Sequence, residues 1–455
     1  MQKMNRVILI LIICCAGAMQ ARQNTPEQRF FDWTSLQFSK EEYAGRRTKM
    51  LKQIQANGGG VFLAPARQGR SHGETFRQLD DFLYFTGLEL PDAMLVLDSE
   101  NQSTIIFAPE RDARFESPSR KNDFPGRPLA DDPAIAQTSG VSDIRAFDEL
   151  DKYISKAVAA GRTLWVNFGS PAAIEQVQTS YILDLQPEEM LIFHLQKTFP
   201  KVKIEPAFSL LARLRSIHSP AEIEAMRRVC DLTMQSIREA AKTIRPGVDE
   251  RSLEAVLESA YKRGGSQRLA FSSIIKSGPN SLWPWRILAS HYDRRNRKMQ
   301  AGDLVIFDVG CELNYYVSDV GRTFPVSGKF SPEQRKALDL QREVADAIIA
   351  AIRPGATFND LYKIGLAKIP EGERKYMQVG SFWGHHIGLS TGDPSLRDAP
   401  LEPGMIFTVE PWYYNHEKNI SVFVEDVILV TEDGAENLTA NLPRTADGLE
   451  KLLEE

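Results

Sequence analysis

A chain of 455 residues is longer than one ordinary hydrophobic core supports, so two domains are expected. Hydrophobic and charged fractions of 42% and 25% belong to a soluble globular protein, not to a disordered or membrane-embedded one. A net charge of −5 argues against the basic surface that nucleic acid or an anionic membrane requires, and with only seven histidines, one set among several acids is informative.

Lys3 and Arg6 precede an apolar run from Val7 to Ala16, and small residues follow up to Ala18 and Ala21. A basic stretch, a short apolar stretch and a small-residue cleavage site make residues 1–21 a secretory signal, which places the mature chain in the periplasm or outside the cell. No later stretch approaches the ~20 apolar residues of a membrane-spanning helix, so stable membrane insertion is not expected. Cleavage leaves Cys230 and Cys311, read as two small buried thiols, although an oxidising compartment would allow a disulfide.

Residues 27–206 alternate short apolar runs with charged helical stretches. Val61 to Ala64, Ala93 to Leu97, Ser103 to Ala108 and Leu164 to Phe168 have strand length and character. Lys40 to Gln55 and Pro187 to Lys197 suit amphipathic helices. The pattern is that of an α/β domain, and it holds no compact set of ligands.

The pattern changes before residue 215. Ser219-Pro220-Ala221-Glu222 is a capping box with proline at the first helical position. It opens a helix running to Ile244 and stopped by Arg245-Pro246-Gly247. A second helix covers Ser252 to Arg263, and strands follow at Phe271 to Ile275, Leu304 to Val309 and Tyr315 to Phe324. The series then recurs. Ser331-Pro332-Glu333 opens a helix that stops at Ile352-Arg353-Pro354-Gly355, Leu361 starts another, and strands follow at Met405 to Val409 and Ser421 to Val430. Ile244 with its Arg-Pro-Gly and Ile352 with its own stand 108 residues apart. Residues 215–455 are therefore expected to fold as two similar halves about a pseudo-twofold axis, giving an α+β protein.

Each half carries two acids among residues that should be buried. Asp308 ends Leu304-Val-Ile-Phe, and Asp319 stands eleven residues on. Glu410 ends Met405-Ile-Phe-Thr-Val, and Glu425 lies between Phe423-Val424 and Val427-Ile-Leu. A carboxylate among Val, Ile and Phe is costly to bury unless it is paired or binds a cation. Salt bridges to a neighbour such as Arg322 are the simpler account of any one acid. Four acids in equivalent places of a duplicated unit would instead meet at the axis and require cations between them. His385, in Trp383-Gly-His-His-Ile-Gly, adds an imidazole. Four carboxylates and one nitrogen suit two divalent ions, with Mn²⁺ favoured by the hard oxygens and Zn²⁺, Co²⁺ or Fe²⁺ also compatible.

At these residues the sequence resembles the aminopeptidase P and prolidase family of metallopeptidases, which have the pita-bread fold. The resemblance rests on Gly302-Asp-Leu-Val-Ile-Phe-Asp308-Val-Gly, Asp319-Val-Gly-Arg-Thr-Phe-Pro, Gly384-His385-His-Ile-Gly, Pro403-Gly-Met-Ile-Phe-Thr-Val-Glu410-Pro and Val424-Glu425-Asp-Val-Ile-Leu-Val-Thr. Ile217-His-Ser-Pro-Ala-Glu-Ile-Glu matches the opening of the family's catalytic domain. Phe76-Arg-Gln-Leu-Asp-Asp-Phe-Leu-Tyr-Phe-Thr-Gly87 matches its N-terminal domain, which methionine aminopeptidases lack. The resemblance implies an aminopeptidase acting on peptides, before proline, and usually a dimer or tetramer. It implies that His385 and Glu410 hold one metal and Asp308 the other, with Asp319 and Glu425 bridging. It places His291 near the substrate carbonyl and makes Glu410 the acceptor of the water's proton. Three positions depart from the family: Ser381 and Gly392 stand where histidines are common, and Phe423 where arginine is frequent. His386, Asp393, Arg397 and His416 are the neighbours available to replace them. The departures bear on Xaa-Pro specificity more than on metal binding, leaving another amide substrate, or peptide binding with feeble activity, as alternatives.

Overall fold

The computed structural model describes residues 36–69, 75–110, 130–131, 133–168, 185–282, 296–377, 382–396 and 399–455. The signal segment 1–21 lies outside them. Among the described residues no helix is long and apolar enough to cross a membrane.

The N-terminal part builds six strands into one mixed sheet: β1 (Val61–Pro65), β2 (Met94–Asp98), β3 (Ser103–Ala108), β4 (Asp143–Ala146), β5 (Thr163–Val166) and β6 (Lys203–Pro206), in the order β4-β3-β2-β1-β5-β6. β1, β2 and β3 are antiparallel neighbours, whereas β4, β5 and β6 join in parallel. Helices α1 (Lys40–Ala56) and α2 (Asp80–Thr86) cover one face, and α3 (Pro133–Ser139) packs beside them. Helices α4 (Leu150–Ala159) and α5 (Pro187–Thr198) cover the other. Central strands with helices on both sides bury both faces, which is why β1 and β2 read as unbroken apolar runs. The edge strands β4 and β6 are short, partly exposed and polar, and the sequence pattern does not reveal them.

Helix α6 (Phe208–Arg215) leads into the second domain. Its Leu210, Leu211 and Leu214 belong to the large core that continues into that domain. The capping box forms as expected: Ser219 receives the Glu222 amide, and Glu222 receives the Ser219 amide at 2.9 Å, opening α7 (Pro220–Ala241). Glu222 also takes the Tyr316 hydroxyl at 2.6 Å and pairs with Arg46 of α1 at 3.3 Å, so the cap fastens one domain to the other. Helix α8 (Glu250–Arg263) follows, then β7 (Arg268–Leu269), β8 (Ile274–Ser277), β9 (Leu304–Val309), β10 (Cys311–Leu313), β11 (Tyr316–Val317) and β12 (Val320–Pro325). The second half repeats the order with α9 (Pro332–Ala351), α10 (Phe358–Lys368), β13 (Ile406–Val409), β14 (Trp412–Asn415), β15 (Ile420–Phe423), β16 (Asp426–Val430) and β17 (Ala435–Asn437). Helix α11 (Ala446–Glu454) closes the chain. The whole is mixed α+β, with an N-terminal domain ahead of the duplicated one.

Two expectations are corrected. The runs 315–324 and 421–430, read as single strands, are each broken, at Ser318-Asp319 and at Val424-Glu425. Each break coincides with an acid, Asp319 or Glu425, which stands outside the ladder of its own hairpin. Gly321 and Glu425 instead bridge the two halves, with Gly321 N to Glu425 O at 3.3 Å and Glu425 N to Gly321 O at 3.0 Å. Cys230 and Cys311 are free and buried.

Candidate metal centre

Strand β9 lies between β8 and β12, its six residues all buried, and puts Asp308 opposite Gly321 and Ile274. Asp319 precedes β12. Glu410 directly follows β13, and Glu425 sits between β15 and β16. Gly321 must be glycine: a Cβ there would lie 2.4 Å from the Phe423 ring and 2.9 Å from Glu425 Cβ. Gly384 has φ 151, and a Cβ would meet the Thr408 carbonyl at 2.0 Å. That close approach seats His385 beside β13. Its amide donates to Thr408 Oγ1 at 3.2 Å, and its carbonyl receives the Thr408 amide at 2.9 Å.

The ring of His385 is oriented by its own neighbour. Nδ1 lies 3.2 Å from the His386 carbonyl, so Nδ1–H donates there and Nε2 faces the acids, 3.5 Å from both Asp319 Oδ2 and Glu410 Oε1. Single oxygens of Asp319 and Glu425 and a nitrogen of His385 all fall within 4.8 Å of one another. Among the described residues no donor reaches Asp319 Oδ1 or either oxygen of Glu425, although all three are buried. A buried carboxylate without a donor costs several kcal/mol, so this donor set fits divalent cations rather than a network closed by hydrogen bonds.

The electrostatics agree. Burial pushes Glu425 well above the usual carboxylate range, and Asp319, Glu410 and Asp308 push it the same way. Burial likewise raises Glu410, to about 7, with His385 opposing and Asp319 reinforcing the rise. Burial alone would lower His385, but Asp319, Glu410 and the His386 carbonyl outweigh it and lift its pKa to about 9.

Salt bridging to Arg322 does not account for the acids. Its fully buried guanidinium donates to the carbonyls of Gly321 and Glu425, both at 2.6 Å, and pairs with Asp426 at 2.8 Å. Arg322 therefore clamps the backbone that presents Glu425 and leaves the carboxylate free. Gln341 plays a comparable part: from α9 it donates to the carbonyls of Pro411 and Val424, next to Glu410 and Glu425. The signal for Gln341 was a polar residue at helical spacing among buried Leu338, Val344, Ala345 and Ile348. Of the other expected residues, His291, Ser381 and Arg397 lie outside the described ones. Asp393 is occupied by Arg215 at 2.5 Å, His416 is exposed, and His386 is buried against Phe358 and Phe407.

A duplicated α+β domain with convergent acids and one histidine defines a metal-dependent hydrolase, and comparison with known proteins agrees. Residues 224–432 match the model of metallopeptidase family M24, and residues 43–165 match that of the aminopeptidase P N-terminal domain. The chain is 30% identical to Xaa-Pro aminopeptidase 3 of Homo sapiens, over 91% of this chain and 86% of that protein. It is 29% identical to the Xaa-Pro aminopeptidase of Escherichia coli strain K12, over 92% and 98%. The zinc-substituted E. coli aminopeptidase P in complex with product superposes with TM-score 0.75 at 26% identity, covering 92% of this chain and 98% of that one. The chain belongs to the aminopeptidase P family of M24 metallopeptidases, hydrolases that work with divalent metal ions.

Proposed function

We propose that the protein is an exported, dinuclear Xaa-Pro aminopeptidase, removing the first residue of peptides whose second residue is proline. The observation that supports it most is the set of buried, donorless oxygens on Asp319 and Glu425 facing His385 Nε2. In this reading His385, Glu410, Asp308, Asp319 and Glu425 would together hold the two cations, with Mn²⁺ the preferred ion for so many oxygens. When bound, the cations supply a more acidic water and a polarised scissile carbonyl. Glu410 takes the water's proton, and His291 donates to the developing oxyanion. The His386 carbonyl keeps the His385 tautomer fixed throughout. Residues 1–21 direct export to the periplasm or beyond, and the chain assembles as a homo-oligomer.

A different amide or dipeptide substrate is the second reading, favoured by two of the departures. A Cβ at Gly392 would meet nothing within 4 Å, and Phe423 is fully buried with its ring against Gly321, an apolar group where the family often has an arginine. The test is amino-acid release from Xaa-Pro and Xaa-Ala peptides by the Mn²⁺-loaded mature protein beside Glu410→Ala. Release confined to proline peptides and lost in the variant supports the first reading. Two metals bound without release from either series supports the second.

A further inference from the structure

Among the described residues the N-terminal domain holds no group of potential ligands, yet one of its arginines reaches the frame of the metal centre. Each of the three guanidinium nitrogens of Arg77 donates a hydrogen bond. Nε donates to Glu312 at 2.6 Å, Nη1 to Asp80 at 2.7 Å, and Nη2 to the Leu389 carbonyl at 2.6 Å. Glu312 lies on β10, between Asp308 and Asp319, and Leu389 lies four residues after His385. One planar group therefore spans the two segments that present three of the proposed ligands.

Both far ends are fixed. Glu312 is 1% exposed, and Arg268 Nε holds its other oxygen at 2.8 Å. The loop after His385 is closed a second time. Asp393 receives the Ser390 amide at 3.0 Å and Arg215 at 2.5 Å, and Arg215 also pairs with Asp81 at 2.9 Å and Asp80 at 3.1 Å. Asp80 thus takes Arg77 on one oxygen and Arg215 on the other, and the first turn of α2 is tied to both ends of the 389–393 loop.

We propose that Arg77 is a positioning residue that fixes the distance between the Asp308–Asp319 hairpin and the His385 loop, so that the N-terminal domain sets the width of the metal site. The proposal rests on the metal-site reading above. A lysine cannot replace it, because one ammonium on a flexible stem does not reach three acceptors in the geometry of a rigid fork. Arg77 borders a cavity of about 400 Å³ and its side chain is 25% exposed, so its truncation leaves the core intact.

The test uses the mature full-length chain, with Co²⁺ as the metal probe. Calorimetric Co²⁺ titration, the visible spectrum of the Co²⁺ form, and kcat and KM on an Xaa-Pro peptide are compared for wild type, Arg77→Ala, Arg77→Lys and Tyr315→Phe. The last removes the hydroxyl that binds Glu89 and the Gln78 amide at the same domain junction while keeping its ring under Arg77. Arg77→Ala is expected to bind Co²⁺ about tenfold more weakly or worse, with a changed spectrum and a kcat that falls more than KM moves. Arg77→Lys stays close to Arg77→Ala, and Tyr315→Phe keeps the wild-type spectrum. Wild-type Co²⁺ affinity and spectrum in Arg77→Ala, or the same spectral change in Tyr315→Phe, would overturn the proposal. A wild type that takes up no Co²⁺ sinks the metal-site reading and this one with it. A wild type that binds Co²⁺ without cleaving the peptide sinks only the substrate reading, and the spectra still decide on Arg77.

Discussion

In the first half of the catalytic domain, Thr233 of α7 meets the Ser318 hydroxyl at 2.6 Å, and that hydroxyl also receives the Cys311 amide at 3.1 Å. In the second half, Gln341 of α9 stands twelve residues before its Arg-Pro-Gly, as Thr233 does before its own, and reaches the main chain directly at Pro411 and Val424. Both devices hold the residue just ahead of an acid, Ser318 before Asp319 and Val424 before Glu425. One uses two short hydroxyls, the other a single long amide. A duplicated plan thus preserves where the chain must be pinned, and each half meets that need with whatever side chain spans its own gap between helix and strand.

The largest expected effect falls on the acids themselves. Asp319→Ala and Glu425→Ala should each lower kcat/KM by more than the ~10- to 100-fold typical of residues that only support a ligand. Metal content by atomic emission should fall with activity, and a variant within tenfold of wild type would remove that acid from the site.

Next is the clamp that the first half lends to the second. Arg322→Met leaves Asp426 with Arg444, at 2.6 Å, as its remaining cation and takes from the Gly321 and Glu425 carbonyls the guanidinium that each accepts beside a backbone amide. Breaking a buried pair in this way should cost about 3–5 kcal/mol in denaturant unfolding. An unchanged midpoint would show that water replaces the guanidinium.

Metal binding should stabilise the protein by about 3 kcal/mol at 100 times Kd, and a fixed Mn²⁺ concentration should stabilise it more at pH 8 than at pH 6. The sign follows from the groups. Glu410, raised from 4.5 to about 7, imposes a penalty on the metal-free fold that is absent below pH 4.5 and complete above about 7. His385, raised from 6.5 to about 9, gives a stabilisation that is full below 6.5 and lost through about 9. Both weaken the metal-free protein as pH rises, and cations remove both effects. Melting shifts with Mn²⁺ that shrink toward pH 8 would contradict this.

The smallest effect separates the two pins. Gln341→Met should destabilise by about 1–3 kcal/mol, because two buried carbonyls lose their donor. Thr233→Val should cost about 1 kcal/mol, since Ser318 keeps the Cys311 amide. Equal losses in a side-by-side melt would mean that the two halves are pinned equally.

Local pattern determined much of this protein. The capping box at Ser219, the helix start at Ser331 and the apolar run of β9 are short-range signals, and each is found where the sequence places it, although α7 ends at Ala241, ahead of the expected Ile244. The cost of burying carboxylates is also readable in one dimension, which is why Asp308, Asp319, Glu410 and Glu425 stood out and why His385 among them carried weight. Tertiary structure decided the rest. The strand breaks at Asp319 and Glu425 arise because the two halves bond to each other there through Gly321. Arg322 could be read as a partner of the acids until its five contacts were fixed by residues up to 121 positions away. Arg77 lies in a motif the sequence displayed plainly, but two of its acceptors are 235 and 312 positions along the chain. Periodicity and capping act within a few residues, whereas a guanidinium takes whichever oxygens folding brings to it.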